Sequence, residues 1–473
     1  MLHEQLTGPY CRLPISSQNS IQRSSTHEPK INRLPPEILA KILECRMLDQ
    51  DLVVATHVCR YWRSTLISTP CLWTHIKCYN SDSVSAYLER SKTAPINVLA
   101  FEILSTFPQN LALEKCIPHL GRVRLMMIYA SFGKALPAIY NFRSPAPLLQ
   151  RLEISGPGCD PTARLPDDFL GRHAPLLQHL HLEDSPLLLN PFPLPSLTTL
   201  TLYAEESQPP MSAILGLLSS APSLQNISIA MMDVSTKEIP IHDIYLGSLR
   251  HLEVLSGSIL SRVIPHIKAP KLEELVIKMP SGIQVPTIED LLPPESYPLM
   301  TEVTSMDFRG VSWDPDMTFE GKGAKVFLTT HFPTPAGLDD FFLKIPSLLF
   351  AQITRLKIRE EGGPLVSRIA EFKNLERIEL GQCIEEDVIF EALCPSSSPE
   401  STPLVPCPHL EIMQVELRSP KHPTPENLAR MARLRKEVGY ALGEIQVSSS
   451  LGFSAEDEKI LNDFLGKDHV RGS

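Results

Sequence analysis

Apolar positions recur through most of the chain in a short figure close to Pro-x-Leu-x-x-Leu-x-Leu. It reads PLLQRLEI at 147–154, PLLQHLHL at 175–182, PSLTTLTL at 195–202 and PSLQNISI at 222–229. It continues as SLRHLEV, PKLEELVI, QITRLKI, NLERIEL and, more loosely, PHLEIMQV, with PHLGRVRL near Leu120 and PLMTEV near Met300 as further copies. The alternating end of each copy predicts a short strand with one buried face, because successive strand side chains point to opposite sides. The leading leucines stand at 149, 177, 197, 224, 249 and 272, so the intervals run from 20 to 28 residues. The step from Met300 to Ile353 is about double, and AKVFLTT is the place for a hidden copy. Intervening stretches such as MSAILGLLSSAP (211–222) read as helical.

A period of 20–29 residues with Leu-x-x-Leu-x-Leu is the leucine-rich-repeat signature, one strand per turn followed by a helix or loop. A single turn cannot close its own core, so neighbouring turns stack and their Leu and Ile side chains fill a shared interior. The Asn or Cys expected after the last Leu is nearly absent, Cys383 being the clear match, so the array over 79–424 is irregular. Residues 425–473 read as its C-terminal cap: a basic amphipathic helix in ENLARMARLRKEVG, the strand EIQVSS, and an N-cap pattern from Ser454 before Ile460, Leu461, Phe464 and Leu465.

The N-terminal pattern is different. Residues 1–30 are polar, without a sustained apolar period, and are expected to be a disordered arm. Then Leu34-Pro35-Pro36 sets a helix start, and Ile38, Leu39, Ile42 and Leu43 make one apolar stripe. Glu37 sits in the first turn, where the helix dipole favours it. A second apolar segment runs from Leu52 to Val58 and a third through Tyr61, Trp62 and Leu66, with Pro70 closing it before Leu72 and Trp73. Three short helices in so few residues are below the size at which one core is comfortably stable, so spare apolar surface is expected there.

The order LPPEIL, VVATHVCRYWRSTL and TPCLW resembles an F-box of the sort common in large fungal F-box families, over residues 31–78. The expected fold class is therefore α/β: a short three-helix F-box followed by an irregular leucine-rich-repeat solenoid. The resemblance implies docking on the Skp-type adaptor of a cullin ubiquitin ligase. Carried over by position, Leu34, Pro35, Ile38 and Leu39 contribute from the first helix and its lead-in, and Val58, Cys59 and Trp62 from the second and third, with Trp73 bracing the end. The repeats would then hold an unknown protein target. A scaffold that uses the same repeats without serving a ligase is the competing reading.

Composition narrows the classes. Forty-four prolines in 473 residues are nearly twice the usual share of about 5%, which suits many short elements. Forty-four Lys and Arg against 54 Asp and Glu give a net charge of −10, which argues against a nucleic-acid grip. No apolar run reaches the ~18 residues of a membrane helix, and no secretory core opens the chain. Ten scattered cysteines make no disulfide framework, so the reducing cytoplasm or nucleus is expected. Cys45, Cys59, Cys71 and Cys78 are expected to be mainly buried thiols.

No hydrolase elbow, zinc-protease helix, phosphate loop or paired Cys-x-x-Cys occurs, so neither catalysis nor a cofactor is expected. If the repeat leucines point inward, the residues between them are expected to form the concave face of the array. That places Arg151, Glu153, His179, His181, Glu183, Thr201 and Tyr203 on one run, with Asn226, Ser228, His251, Glu253, Glu274, Arg377 and Glu379 further along. Arg355, Lys357 and Arg359 form a one-signed triple there, suited to an acidic or phosphorylated segment of a target. His179 and His181 share a strand face at a spacing seen in metal sites, but with no third ligand near in sequence they read as a surface pair.

Overall fold

The computed structural model describes residues 30–46, 49–101, 109–129, 137–156, 165–184, 191–204, 211–231, 242–255, 259, 263–279, 301–310, 316–330, 347–360, 363–381, 383, 386–396, 404–417, 424–449, 455–465 and 470–472. The 1–30 arm lies outside these residues except for Lys30. The chain divides into two compact units, Met1–Leu72 and Trp73–Ser473.

The first unit is helical. A 3-10 turn at Lys30–Arg33 leads into α1 (Pro36–Arg46), followed by α2 (Asp49–Ala55) and α3 (Arg60–Ser68). Leu39 and Leu43 of α1, Leu52 and Ala55 of α2 and Leu66 of α3 are buried. Two side chains of α3 tie down the lead-in to α1. The Tyr61 hydroxyl donates to the Leu34 carbonyl at 2.5 Å, and Trp62 Nε1 donates to Asn32 Oδ1 at 3.0 Å. Arg63 Nε donates to the Thr56 carbonyl at 2.9 Å, which fixes the turn between α2 and α3.

The second unit is built on strands. They begin with β1 (His75–Lys77), β2 (Ile96–Phe101), β3 (Val123–Tyr129), β4 (Arg151–Ser155) and β5 (His179–Glu183). Next come β6 (Thr199–Ala204), β7 (Asn226–Met231), β8 (Ile244–Tyr245), β9 (His251–Leu255), β10 (Ile267–Lys268) and β11 (Glu274–Met279). Then follow β12 (Val303–Gly310), β13 (Asp316–Gly321), β14 (Lys325–Thr330), β15 (Arg355–Glu360) and β16 (Arg377–Gly381). The last are β17 (Ile412–Leu417), β18 (Glu444–Ser449) and β19 (Val470–Gly472). Among the described residues 17 of them share one sheet, while β8 and β10 pair apart.

From β1 to β7, each strand lies parallel beside the next, and β9 and β11 continue the row. The row then departs from simple succession. β14, not β12, lies beside β11, and β13 runs antiparallel between β14 and β12. β15 pairs with β12 and restores the parallel row through β16, β17, β18 and β19. AKVFLTT does supply a strand, as the doubled interval implied. The reversed strand β13 and the exchanged order were not visible in the repeat, because DMTFEG carries no leading Leu. The segment expected to cap the array forms the helix Thr424–Glu437, and its strand β18 joins the end of the same sheet.

The register explains why the leucine pattern builds this sheet. Leu152, Leu180, Leu200, Ile227, Leu252 and Leu275 are successive partners across β4 to β11, and all are buried. A second column two residues on joins Ile154, Leu182, Leu202, Ile229, Val254 and Ile277. Even the irregular strands keep both columns: Val326, Phe319, Met306 and Leu356 extend the first, and Leu328, Met317, Phe308 and Ile358 the second. Parallel sheets covered on both sides read as continuous apolar runs. Here HLHLE alternates buried and half-buried, so one face is core and the other carries the polar residues.

Candidate functional site

Two surfaces stand out, one in each unit. In the helical unit Ile31, Ile38, Ile42, Val53, Val54, Val58 and Ile67 are large apolar side chains exposed by 39% to 65%. They make up half of the exposed large apolar residues among those described, within a small fraction of the chain. Ile38 and Ile42 stand one turn apart on α1 and so share a face. The cause is local. A helix packed on one side by Leu39 and Leu43 must present its neighbours outward, and the unit lacks the bulk to cover them.

The residues picked from the sequence separate into two roles. Pro35, Ile38 and Val58 are exposed, and Leu34 is half-buried with its carbonyl held by Tyr61. Leu39 is fully buried and Trp62 is 9% exposed, so these two hold the helices together rather than offering a contact face. Cys59 is the N-cap of α3, its thiol accepting the Trp62 backbone N–H at 3.5 Å. Burial of the early cysteines holds for Cys78 but not for Cys71, which is exposed on the short turn Pro70–Trp73, nor for half-buried Cys59. The side chain of Cys45 lies outside the described residues. Val53, Val54 and Ile67 were missed. Consecutive valines give no sign of which faces out until the neighbours Leu52 and Ala55 are seen to be buried.

Among the described residues, one family model matches this part of the chain, over residues 31–79. That segment is an F-box-like domain. Domains of this family are typically non-catalytic adaptors that attach a protein to a ubiquitin ligase. No curated protein matches the chain.

In the second unit the open face of the sheet carries ladders of paired polar side chains. Glu153 is a buried carboxylate on this face, accepting from the Tyr129 hydroxyl and the Arg151 guanidinium. Burial first, and the hydrogen bond to Glu153 second, push the Tyr129 phenol up to about 12. Beside it Ser155 donates to Glu183 at 2.5 Å, and His181 Nε2 lies 3.4 Å from the same carboxylate. His179 and His181 are half-buried on adjacent ranks of β5, and Tyr203 is half-buried on β6 in register with Glu183. No group of three metal-ligating side chains occurs among the described residues. Further along, Lys278 and Ser228 both bond to Glu253, which holds that carboxyl below its usual range, chiefly through Lys278.

Arg355, Lys357 and Arg359 are together on the open face of β15, as their spacing implied, but they are not one-signed in place. The register sets Asp307 and Glu379 on either side of Lys357. Arg359 bonds Asp307 at 2.5 Å and Lys357 stands 3.5 Å from Glu379. The acids come from neighbouring strands far away in sequence, which a reading along one strand cannot see. A cavity of about 310 Å³ opens beside this group, lined by Lys357, Glu379, Gly381, Gln414, Glu416 and Gln446 among others.

Proposed function

We propose that this protein is a substrate-receptor subunit of a Skp–cullin–F-box ubiquitin ligase. The F-box-like helices dock a Skp-type adaptor, and through it a cullin, while the strand-based unit holds a target protein. The observation that carries the reading is the concentration of exposed apolar side chains within the F-box-like segment. Large apolar side chains left exposed in such concentration on one small unit mark an interaction site. Pro35, Ile38 and Val58 form the adaptor contact, with Leu34 at its margin and Leu39, Cys59 and Trp62 setting its geometry.

Magnitudes support an interface that works only as a whole. Full burial of a Val or Ile gives roughly 1.5–3 kcal/mol, so covering seven half-exposed ones yields on the order of 5–10 kcal/mol. Association costs an estimated 4–15 kcal/mol. The gain and the cost are comparable, so loss of one or two members is enough to release the adaptor.

The strand-based unit is an irregular leucine-rich-repeat solenoid in this reading, which the 20–28-residue spacing and the two buried columns support. Its open face, with His179, His181, Tyr203, Arg355, Lys357 and Arg359, receives the target. The chain supplies no catalytic group. It raises the effective concentration of the target at the conjugating enzyme, which is the physical effect of tethering. The test is size-exclusion chromatography of the chain co-expressed with a Skp-type adaptor and the N-terminal region of a cullin. Co-elution of all three is expected. Elution of the adaptor without the cullin, or of the chain alone, contradicts the ligase assignment.

A further inference from the structure

Arg355 and Arg377 are direct partners across β15 and β16. Like charges placed opposite one another on a sheet are destabilising, so the pair needs a compensating anion or a reason to lack one. The surroundings do not supply it fully. On the open face of β12, β15 and β16 five cations (Arg309, Arg355, Lys357, Arg359 and Arg377) stand with Asp307, Glu360 and Glu379, and two further carboxylates border them, Asp316 opposite Arg309 on β13 and Glu416 opposite Gly381 on β17. Asp307 is taken by Arg359 at 2.5 Å and Glu360 by Arg309 at 2.9 Å. Glu379 is shared at long distances, 3.5 Å to Lys357 and 3.8 Å to Arg377. Arg355 is exposed, with no hydrogen-bond or ion-pair partner among the described residues. The unmet charge is therefore local to one rank: Arg355, opposite Arg377, has no carboxylate among the described residues.

The rank beyond holds a gap. Arg359, Gly381, Glu416 and Ser448 are successive partners across β15 to β18, and Gly381 alone contributes no side chain. A Cβ built there meets only ordinary contact, the nearest atom being Arg359 Cγ at 3.7 Å. The cavity of about 310 Å³ lies at this gap and reaches back to Lys357 and Glu379.

We infer that this corner of the sheet binds an acidic, extended segment of the target, with carboxylates on alternate residues. The reasons are charge and spacing. Arg355 and Arg377 form one rank and Lys357 the next, about 7 Å along the strand, which is the repeat of alternate side chains in an extended chain. Two carboxylates two residues apart reach both ranks, whereas one phosphoryl group reaches only one. The first carboxylate takes donors from both guanidinium groups, and the second draws Lys357 from its long contact with Glu379. The next side chain of the segment enters the space over Gly381. This inference rests on the target-binding half of the proposed function and adds the chemistry of the target.

The test uses the full chain with its adaptor and three fluorescein-labelled peptides of one scaffold: Ala-Ser-Glu-Ala-Glu-Ala-Ser, the same with both Glu replaced by Gln, and the same with one phosphoserine in place of the first Glu and Gln in place of the second. Fluorescence anisotropy is read at low and moderate salt. The Glu peptide is expected to bind, more weakly as salt rises, and the Gln peptide not to bind. Arg355→Gln/Arg377→Gln is expected to weaken binding at least about tenfold, as loss of charge-assisted hydrogen bonds does. Lys322→Gln, on the exposed turn after β13, is expected to leave binding unchanged and so controls for general charge. The double variant should unfold no earlier than wild type, because it relieves a like-charge pair; a merely structural role would lower its midpoint. Equal or absent binding of the Glu and Gln peptides, wild-type binding by the double variant, or preference for the phosphoserine peptide overturns the inference. Adaptor co-purification, scored on the same preparations, separates failure of this site from failure of the ligase assignment.

Discussion

Arg435 is a cation with no carboxylate partner among the described residues. It lies fully buried in the helix Thr424–Glu437, donating to the carbonyls of Leu393 at 3.2 Å, Pro406 at 2.7 Å and Cys407 at 2.8 Å. Burial pulls its affinity for the proton down; the carbonyls satisfy Nη1 and Nη2 in place of water, while Nε is buried without a partner among the described residues. Arg435→Ala should lower unfolding free energy by about 3 kcal/mol or more, since three buried acceptors lose their donor and a cavity opens. Denaturant titration reads this as a lower midpoint at unchanged slope. Cys407, beside it, is pushed up to about 12 by burial, and Cys78 is raised by its hydrogen bond to Cys116 and by burial. Both should resist alkylation at pH 8 in the folded protein while exposed Cys71 reacts first, as mass spectrometry of partly labelled chain would resolve. None of this was legible beforehand. ENLARMARLRKEVG reads as a basic helix with its cations in water, and only the tertiary position of the Leu393, Pro406 and Cys407 carbonyls turns one of them inward.

At the scale of elements, glycine separates what the strands tolerate. A Cβ on Gly321 of β13 would stand 2.0 Å from the Glu302 carbonyl oxygen, where β12 and β13 pair around an irregular register near Val303. Gly321→Ala must displace backbone and should cost about 1–3 kcal/mol. Gly381→Ala on β16 meets nothing closer than 3.7 Å and should stay within about 0.5 kcal/mol of wild type. Thermal melts of the two variants side by side check the contrast. The strands built on Leu-x-x-Leu-x-Leu were readable because period-two alternation and a half-buried sheet are the same fact seen twice. β13 was not, since Met317 and Phe319 fill the two columns from the opposite chain direction. Alternation fixes which side chains point inward, but not which way the strand runs or which strand it meets.

Across the whole molecule, stability should fall in acid for a stated reason. Glu253 and Glu371 have carboxyl groups held below the usual value, chiefly by hydrogen bonds from Lys278 and Arg368, and Asp243 likewise by Lys268. A group whose folded affinity for protons is lowered stabilises the fold above its unfolded value and ceases to do so as pH falls through the folded one. The Glu contribution is therefore complete above about pH 4.5 and declines below it, which melts at stepped pH would follow. A helical leader ahead of a strand-based unit was legible from a change of pattern, read at residues 78–79, while the compact units divide at Leu72–Trp73. The exposed apolar set was legible in part, through Pro35 and Ile38, but its full membership was not. Leu39 and Ile38 are neighbours in one apolar stripe, and packing alone decides that the first is core and the second exposed.

An adaptor interface made of this exposed set would show itself in adaptor affinity across matched variants. Wild type, Ile38→Asp and Val58→Asp would be titrated with a purified Skp-type adaptor, each first shown to melt as a folded protein. Wild type is expected to bind and either variant to lose about tenfold or more, since a charge placed in a desolvated contact costs well over 1.4 kcal/mol. Adaptor binding that survives both substitutions unchanged, or that is absent in wild type, would contradict that interface.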